Sequence, residues 1–92
     1  MSLLSEEEIE SRLVGLPGWS RQGDSISCVR KRGSFAAAVM YVGAVAYLSE
    51  EANHHPDILI QWETVTLTLS THSAGGLTEN DFAMARKISD LG

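Results

Sequence analysis

The 92-residue sequence has one cysteine, no long hydrophobic run, a shortage of positive charge, and no Lys or Arg between Gly33 and Ala85. A single cysteine closes no internal disulfide, which excludes a cysteine-stapled secreted scaffold and fits a reducing compartment. The longest mostly apolar stretch, Phe35 to Leu48, is alanine-rich and too short to span a bilayer, so no membrane association is expected. A signal peptide needs a basic segment followed by an apolar run. Met1-Ser2-Leu3-Leu4 instead leads straight into Ser5-Glu6-Glu7-Glu8, and a cytoplasmic location is the expectation. Seven Lys and Arg stand against twelve Asp and Glu, a formal charge of −5, which argues against nucleic acid as a partner.

What is present is enough for a core. The hydrophobic fraction is 43%, and the length allows one domain, residues 1–92. The cation-free stretch also holds all three histidines and six acids, Glu50, Glu51, Asp57, Glu63, Glu79 and Asp81.

Ser5-Glu6-Glu7-Glu8 reads as a capping box opening a helix, with Ile9 and Leu13 as its apolar spacing and Gly15-Leu16-Pro17-Gly18 as its stop. Trp19 to Gln22 and Ser25 to Arg30 read as a hairpin around Gly23-Asp24. Ser34 caps a long second helix reaching about Asn53, with Phe35, Val39, Val42 and Ala46 expected as its buried stripe. Pro56 disfavours helical geometry at His55. Ile58 to Trp62 and Val65 to Thr71 form a second hairpin. A Glu63-Thr64 turn pairs Trp62 with Val65, Ile60 with Leu67 and Ile58 with Leu69, gathering six apolar side chains on one face, Trp62 among the core. Thr78, with Asp81 at the third helical position, opens a last helix that buries Phe82, Ala85 and Ile88. The order α-β-β-α-β-β-α predicts an α+β fold, an antiparallel sheet with helices on one face.

Extending the second hairpin's register sets His55 against His72, so all three histidines gather at one end of the hairpin. Glu50 lies one helical turn before His54. Clustered imidazoles suit general acid–base chemistry near neutral pH. They also suit a metal, although adjacent His54 and His55 project in different directions and make joint chelation awkward. The bland readings are that Cys28 is a small strand residue, Arg30-Lys31-Arg32 a solvated turn, and the Thr/Ser face of the last hairpin an open sheet surface, with a recognition surface as the alternative for that face.

Glu50-x-x-x-His54-His55-Pro56, the aromatic Trp62, Leu67-Thr68-Leu69-Ser70-Thr71-His72 and Gly76-Leu77-Thr78-x-x-Asp81 together resemble the pterin-4a-carbinolamine dehydratases. The likeness extends more weakly upstream through Leu16-Pro17-Gly18-Trp19. It implies a four-stranded antiparallel sheet with three helices on one face, associating as a homodimer or homotetramer. It implies dehydration of 4a-hydroxytetrahydropterin to quinonoid dihydropterin, recycling the tetrahydrobiopterin-type cofactor of aromatic amino acid hydroxylases, with no metal or organic cofactor. Carried over by motif, the catalytic residues are His54, His55 and His72. Pro56, Thr71 and Ser73 contact the pterin, and Glu50 and Asp81 support. Proton-transfer chemistry then puts acid and base on His54 and His72, with His55 orienting the ring and Glu50 holding His54. Ile58 stands where many relatives carry an aromatic.

Two other readings compete. One is a binding module serving as a dimerisation or assembly cofactor for a partner protein. The other is a small His-ligated metal protein.

Overall fold

Ser5 does what its position demands. In the computed structural model, which describes residues 2–92, its hydroxyl accepts from the Glu8 amide while Glu8 reaches back to the Ser5 amide. Two of the orphan N–H groups at the start of α1 (Glu6–Val14) are thereby satisfied. Arg12 in the last turn of α1 forks onto the Glu79 carboxylate. Two strands follow, β1 (Trp19–Gln22) and β2 (Ser25–Lys31), joined by Gly23-Asp24 with Gly23 at φ +58°. The long helix α2 (Phe35–Ala52) starts on the Ser34 cap, and β3 (Asp57–Gln61) and β4 (Thr64–Leu69) form the second hairpin. One turn of 3₁₀ helix, His72–Ala74, precedes α3 (Glu79–Asp90). The antiparallel sheet runs β1-β2-β4-β3.

Alternation along β2 and β4 decides which face is covered. Ile26, Cys28, Val65, Leu67 and Leu69 are buried on the helical side with Phe82, Met84, Ala85 and Ile88 of α3 and Ile9 of α1. Ser25, Ser27, Thr66 and Thr68 take the opposite face. Each large side chain buried in this layer contributes about 1.5–3 kcal/mol. Trp19 adds a polar tie, its indole N–H donating to Ser89 Oγ at 2.9 Å.

Two expectations need correction. The β3–β4 turn is Trp62-Glu63, and the register pairs Ile60 with Val65 and Ile58 with Leu67, two residues away from the expected pairing. Strand parity survives a shift of two, so Ile58 and Ile60 still share a face with Val65 and Leu67. Trp62 does not. It sits in the turn at φ +53° with 71% of its surface exposed, and is no core residue. Continued outward, the observed register sets His55 toward Ser70 instead of His72.

The α2 stripe is also displaced. Ala38, Tyr41, Val45 and Ser49 are buried, with Val42 half-buried, whereas Phe35, Val39 and Ala46 are exposed. This helix is apolar on nearly every side as far as Leu48, so three- and four-residue steps can be drawn along several faces. The face against the sheet admits a polar residue because Ser49 returns its hydroxyl to the Val45 carbonyl at 2.7 Å. Met40 (76% exposed) and Tyr47 (65%) extend the outward apolar surface.

Candidate active site

The end of α2 sets the positions of His54 and His55. Asn53 takes the left-handed conformation (φ 49°, ψ 44°), and its N–H bonds the Glu50 carbonyl while the His54 N–H bonds that of Ser49. This pair of bonds caps the last turn and swings the chain out of the helix. His54 therefore leaves the face that Glu50 occupies. Glu50 Oε2 instead lies 2.5 Å from His55 Nε2, correcting the expected Glu50–His54 pairing.

His54 turns inward, its side chain only 12% exposed, and its Nε2 lies 2.6 Å from Oδ1 of the fully buried Asp81. The other carboxylate oxygen accepts the Thr71 hydroxyl at 2.8 Å and the Thr78 N–H at 2.9 Å. Thr71 and Thr78 hydroxyls are 2.8 Å apart. Thr71 has spent its one proton on Asp81, so the Thr78 hydroxyl donates to Thr71. An acceptor-only carboxylate then assigns the proton on His54 to Nε2. Asp81 is thus a helix cap and a histidine partner at once.

His72 is held by a different device. Thr71 and Gly76 exchange backbone hydrogen bonds across a four-residue loop, and Gly75 at φ +77° closes the turn that begins at His72. Gly76 is hemmed in. A side chain there would meet Leu3 at 3.1 Å and Asp24 at 3.7 Å.

His55 and His72 line one cleft of about 220 Å³ together with Asp24, Ser25, Asp57, Thr68 and Ser70. That is below the roughly 300–1,000 Å³ common for drug-sized ligands and suits one small ring system. Two imidazoles and two aspartates face it, and no Lys or Arg does. Of the other residues singled out from sequence, Pro56 and Thr71 are buried beside the cleft, Ser73 is exposed on the His72 loop, and none lines it. Sequence reading missed Asp24 and Asp57. Thr68 and Ser70 belong to the Thr/Ser face read as open sheet, and their alternation was the available signal. Among the described residues, no three His, Cys, Asp or Glu side chains gather in a group able to hold a metal ion. No helix there is long and apolar enough to cross a membrane.

The sequence pattern of the family described as pterin 4 alpha carbinolamine dehydratase matches residues 2–91. The chain belongs to this family. A relative from Nocardia farcinica, provisionally named a pterin-4-alpha-carbinolamine dehydratase, is 55% identical over 89 residues, covering 97% of this chain and 94% of its own. One from Roseiflexus castenholzii, named in the same provisional way, is 51% identical and covers 98% and 97%. Among solved structures, a transcriptional coactivator/pterin dehydratase from Brucella melitensis superposes with a TM-score of 0.91 at 33% identity, covering 96% of each chain. A pterin dehydratase-like protein identified as a RuBisCO assembly factor in the alpha-carboxysome superposes with a TM-score of 0.64 at 27% identity, covering 79% of this chain and 84% of its own. Within the dehydratase family the fold expected from sequence, three helices on a four-stranded antiparallel sheet, is the fold observed.

Proposed function

We propose that this chain is a hydro-lyase that dehydrates 4a-hydroxytetrahydropterin to quinonoid dihydropterin, with His55 and His72 as its proton-transfer pair. The observation carrying this reading is that these two imidazoles line one small cleft free of fixed cations. In the reaction the C4a hydroxyl takes a proton and leaves as water. The adjacent ring N–H gives up its proton, and its electron pair forms the C=N bond. No oxidant or reductant is involved. One imidazole gives the first proton and the other takes the second, each worth about 10²–10⁴ in rate.

This assignment moves the acid–base role from His54 to His55. His54 is a positioning residue: anchored to Asp81, it fixes the peptide that carries His55. Glu50 occupies Nε2 of His55 and leaves Nδ1 free for substrate. The test is a dehydratase assay on freshly generated 4a-hydroxytetrahydropterin. His55→Ala and His72→Ala are each expected to lose about 10²–10⁴ in kcat. A His72→Ala protein running at the wild-type rate overturns the scheme.

Such an activity recycles the tetrahydropterin cofactor of aromatic amino acid hydroxylases and belongs in the cytoplasm. The outward apolar face of α2, with Phe35, Val39, Met40 and Tyr47, supports a homo-oligomer. A second reading, a non-catalytic assembly or dimerisation cofactor for another protein, is favoured by the likeness to the RuBisCO assembly factor. A stable protein partner in pull-downs combined with absent dehydratase activity would rank it first.

A further inference from the structure

The cleft contains a carboxylate that the acid–base scheme does not use. Asp24 lies in the β1–β2 turn, 31 residues before His55 and 48 before His72, in a part of the fold the chemistry does not otherwise touch. Its backbone is fixed from below, since the Ser70 hydroxyl donates to the Asp24 carbonyl at 2.9 Å. Its side chain lies against Gly76, the residue that follows the His72 turn. Among the described residues, the carboxylate itself makes no hydrogen bond or ion pair.

Sheet order sets where Asp24 stands relative to His55. The cleft runs from the β2 end (Asp24, Ser25) over the β4 end (Ser70) to the approach to β3 (His55). Neighbouring strands are about 4.8 Å apart, so the two rims are separated by about 10 Å. That span suits a bicyclic ring lying across three strands. With its carbinolamine carbon at His55 and His72, its pyrimidine ring reaches the β2 rim. The outer edge of that ring carries the 2-amino group and the neighbouring ring N–H, two donors side by side. A carboxylate accepts such a pair through both oxygens. Asp57, the other aspartate, stands on the His55 rim, two residues along the same chain, and is badly placed for this edge.

We propose that Asp24 is the specificity-determining residue of this cleft, accepting hydrogen bonds from the 2-amino and adjacent N–H of the pterin. The inference rests on the dehydratase reading and adds to it how the ring is oriented and which heterocycles are refused. A ring with oxygen in place of the 2-amino group loses a donor and presents a lone pair to the carboxylate, which disfavours binding.

The experiment compares Asp24→Asn with wild type by calorimetric titration, using 7,8-dihydropterin and its 2-oxo counterpart as probes, beside the dehydratase assay. Asparagine keeps the turn and the backbone carbonyl that Ser70 holds. Wild type is expected to prefer the 2-amino ring by about tenfold or more, and Asp24→Asn to lose most of that preference. In the assay the variant raises KM with little change in kcat, whereas His72→Ala lowers kcat. Asp57→Asn is expected to keep the preference. An unchanged preference in Asp24→Asn, with turnover intact in wild type, overturns the role of Asp24 alone. Absent turnover in wild type overturns the dehydratase reading. Failure of wild type to bind either ring overturns both.

Discussion

Glu50 Oε2 lies 2.5 Å from His55 Nε2, reaching past His54 to a residue five positions along the chain. Both groups are solvent-exposed, and an exposed pair contributes about 0–1 kcal/mol to stability. Its use is to fix an imidazole that would otherwise rotate.

Glu50→Gln therefore separates function from folding. Its urea midpoint is expected to stay close to wild type, while kcat falls by less than the 10²–10⁴ expected for losing His55 itself. Paired denaturation and dehydratase measurements check this. A midpoint that falls as steeply as the rate would make Glu50 a structural residue.

Asp81→Asn behaves in the opposite way. The amide keeps the shape but presents one acceptor oxygen where three donors converge, so one donor goes unsatisfied in a buried place. Hydrogen bonds to charged groups are worth about 1.5–3 kcal/mol, and the loss should be of that size in chemical denaturation, with activity reduced as well.

Trp62→Gly should stabilise the protein. A non-glycine residue in the left-handed region carries a penalty of roughly 1–2 kcal/mol, and this indole is mostly in solvent. Part of that penalty returns as stability, seen as a higher thermal midpoint. A lower midpoint would mean that the indole has a partner, a second copy of the chain being the first to examine.

Acid should weaken the fold through Glu8 and Glu79. The Arg12 guanidinium bonding Glu79, and the Ser5 N–H bonding Glu8, hold both carboxyls below the usual glutamate range. The unfolded chain then takes up these protons first. The stabilisation is complete above the unfolded value of about 4.3 and disappears as pH falls through the lower folded values. Urea midpoints between pH 7 and pH 3 should fall less steeply for Glu79→Gln than for wild type.

Charging the outer face of α2 tests self-association. Val39→Glu with Met40→Glu is expected to convert a homo-oligomer to monomer in sedimentation, leaving secondary structure by circular dichroism intact. Both residues are exposed in the single chain, so the fold itself has little to lose.

The parts legible in the sequence were those decided locally. The Ser5–Glu8 capping box and the Thr78 cap with Asp81 at the third position each need only four consecutive residues and are present as expected. The sheet faces were legible because parity tolerates a shift of two. For the same reason the register was not, and the Trp62 turn went unseen. The α2 stripe was hidden by an excess of apolar residues. Glu50's partner was hidden by one left-handed residue, Asn53, which turns the chain out of α2. Asp24 reached the cleft by topology, since only the β1-β2-β4-β3 order brings its turn to the end of β4.

Asp81 opens the last helix and aims the most enclosed imidazole with the same two oxygens. A molecule whose C-terminal helix has frayed at its first turn thus also loses the anchor of His54. If His54 positions His55 as proposed, partly folded copies are silent ones, and activity per molecule reports the integrity of a helix that contributes no side chain to the cleft lining.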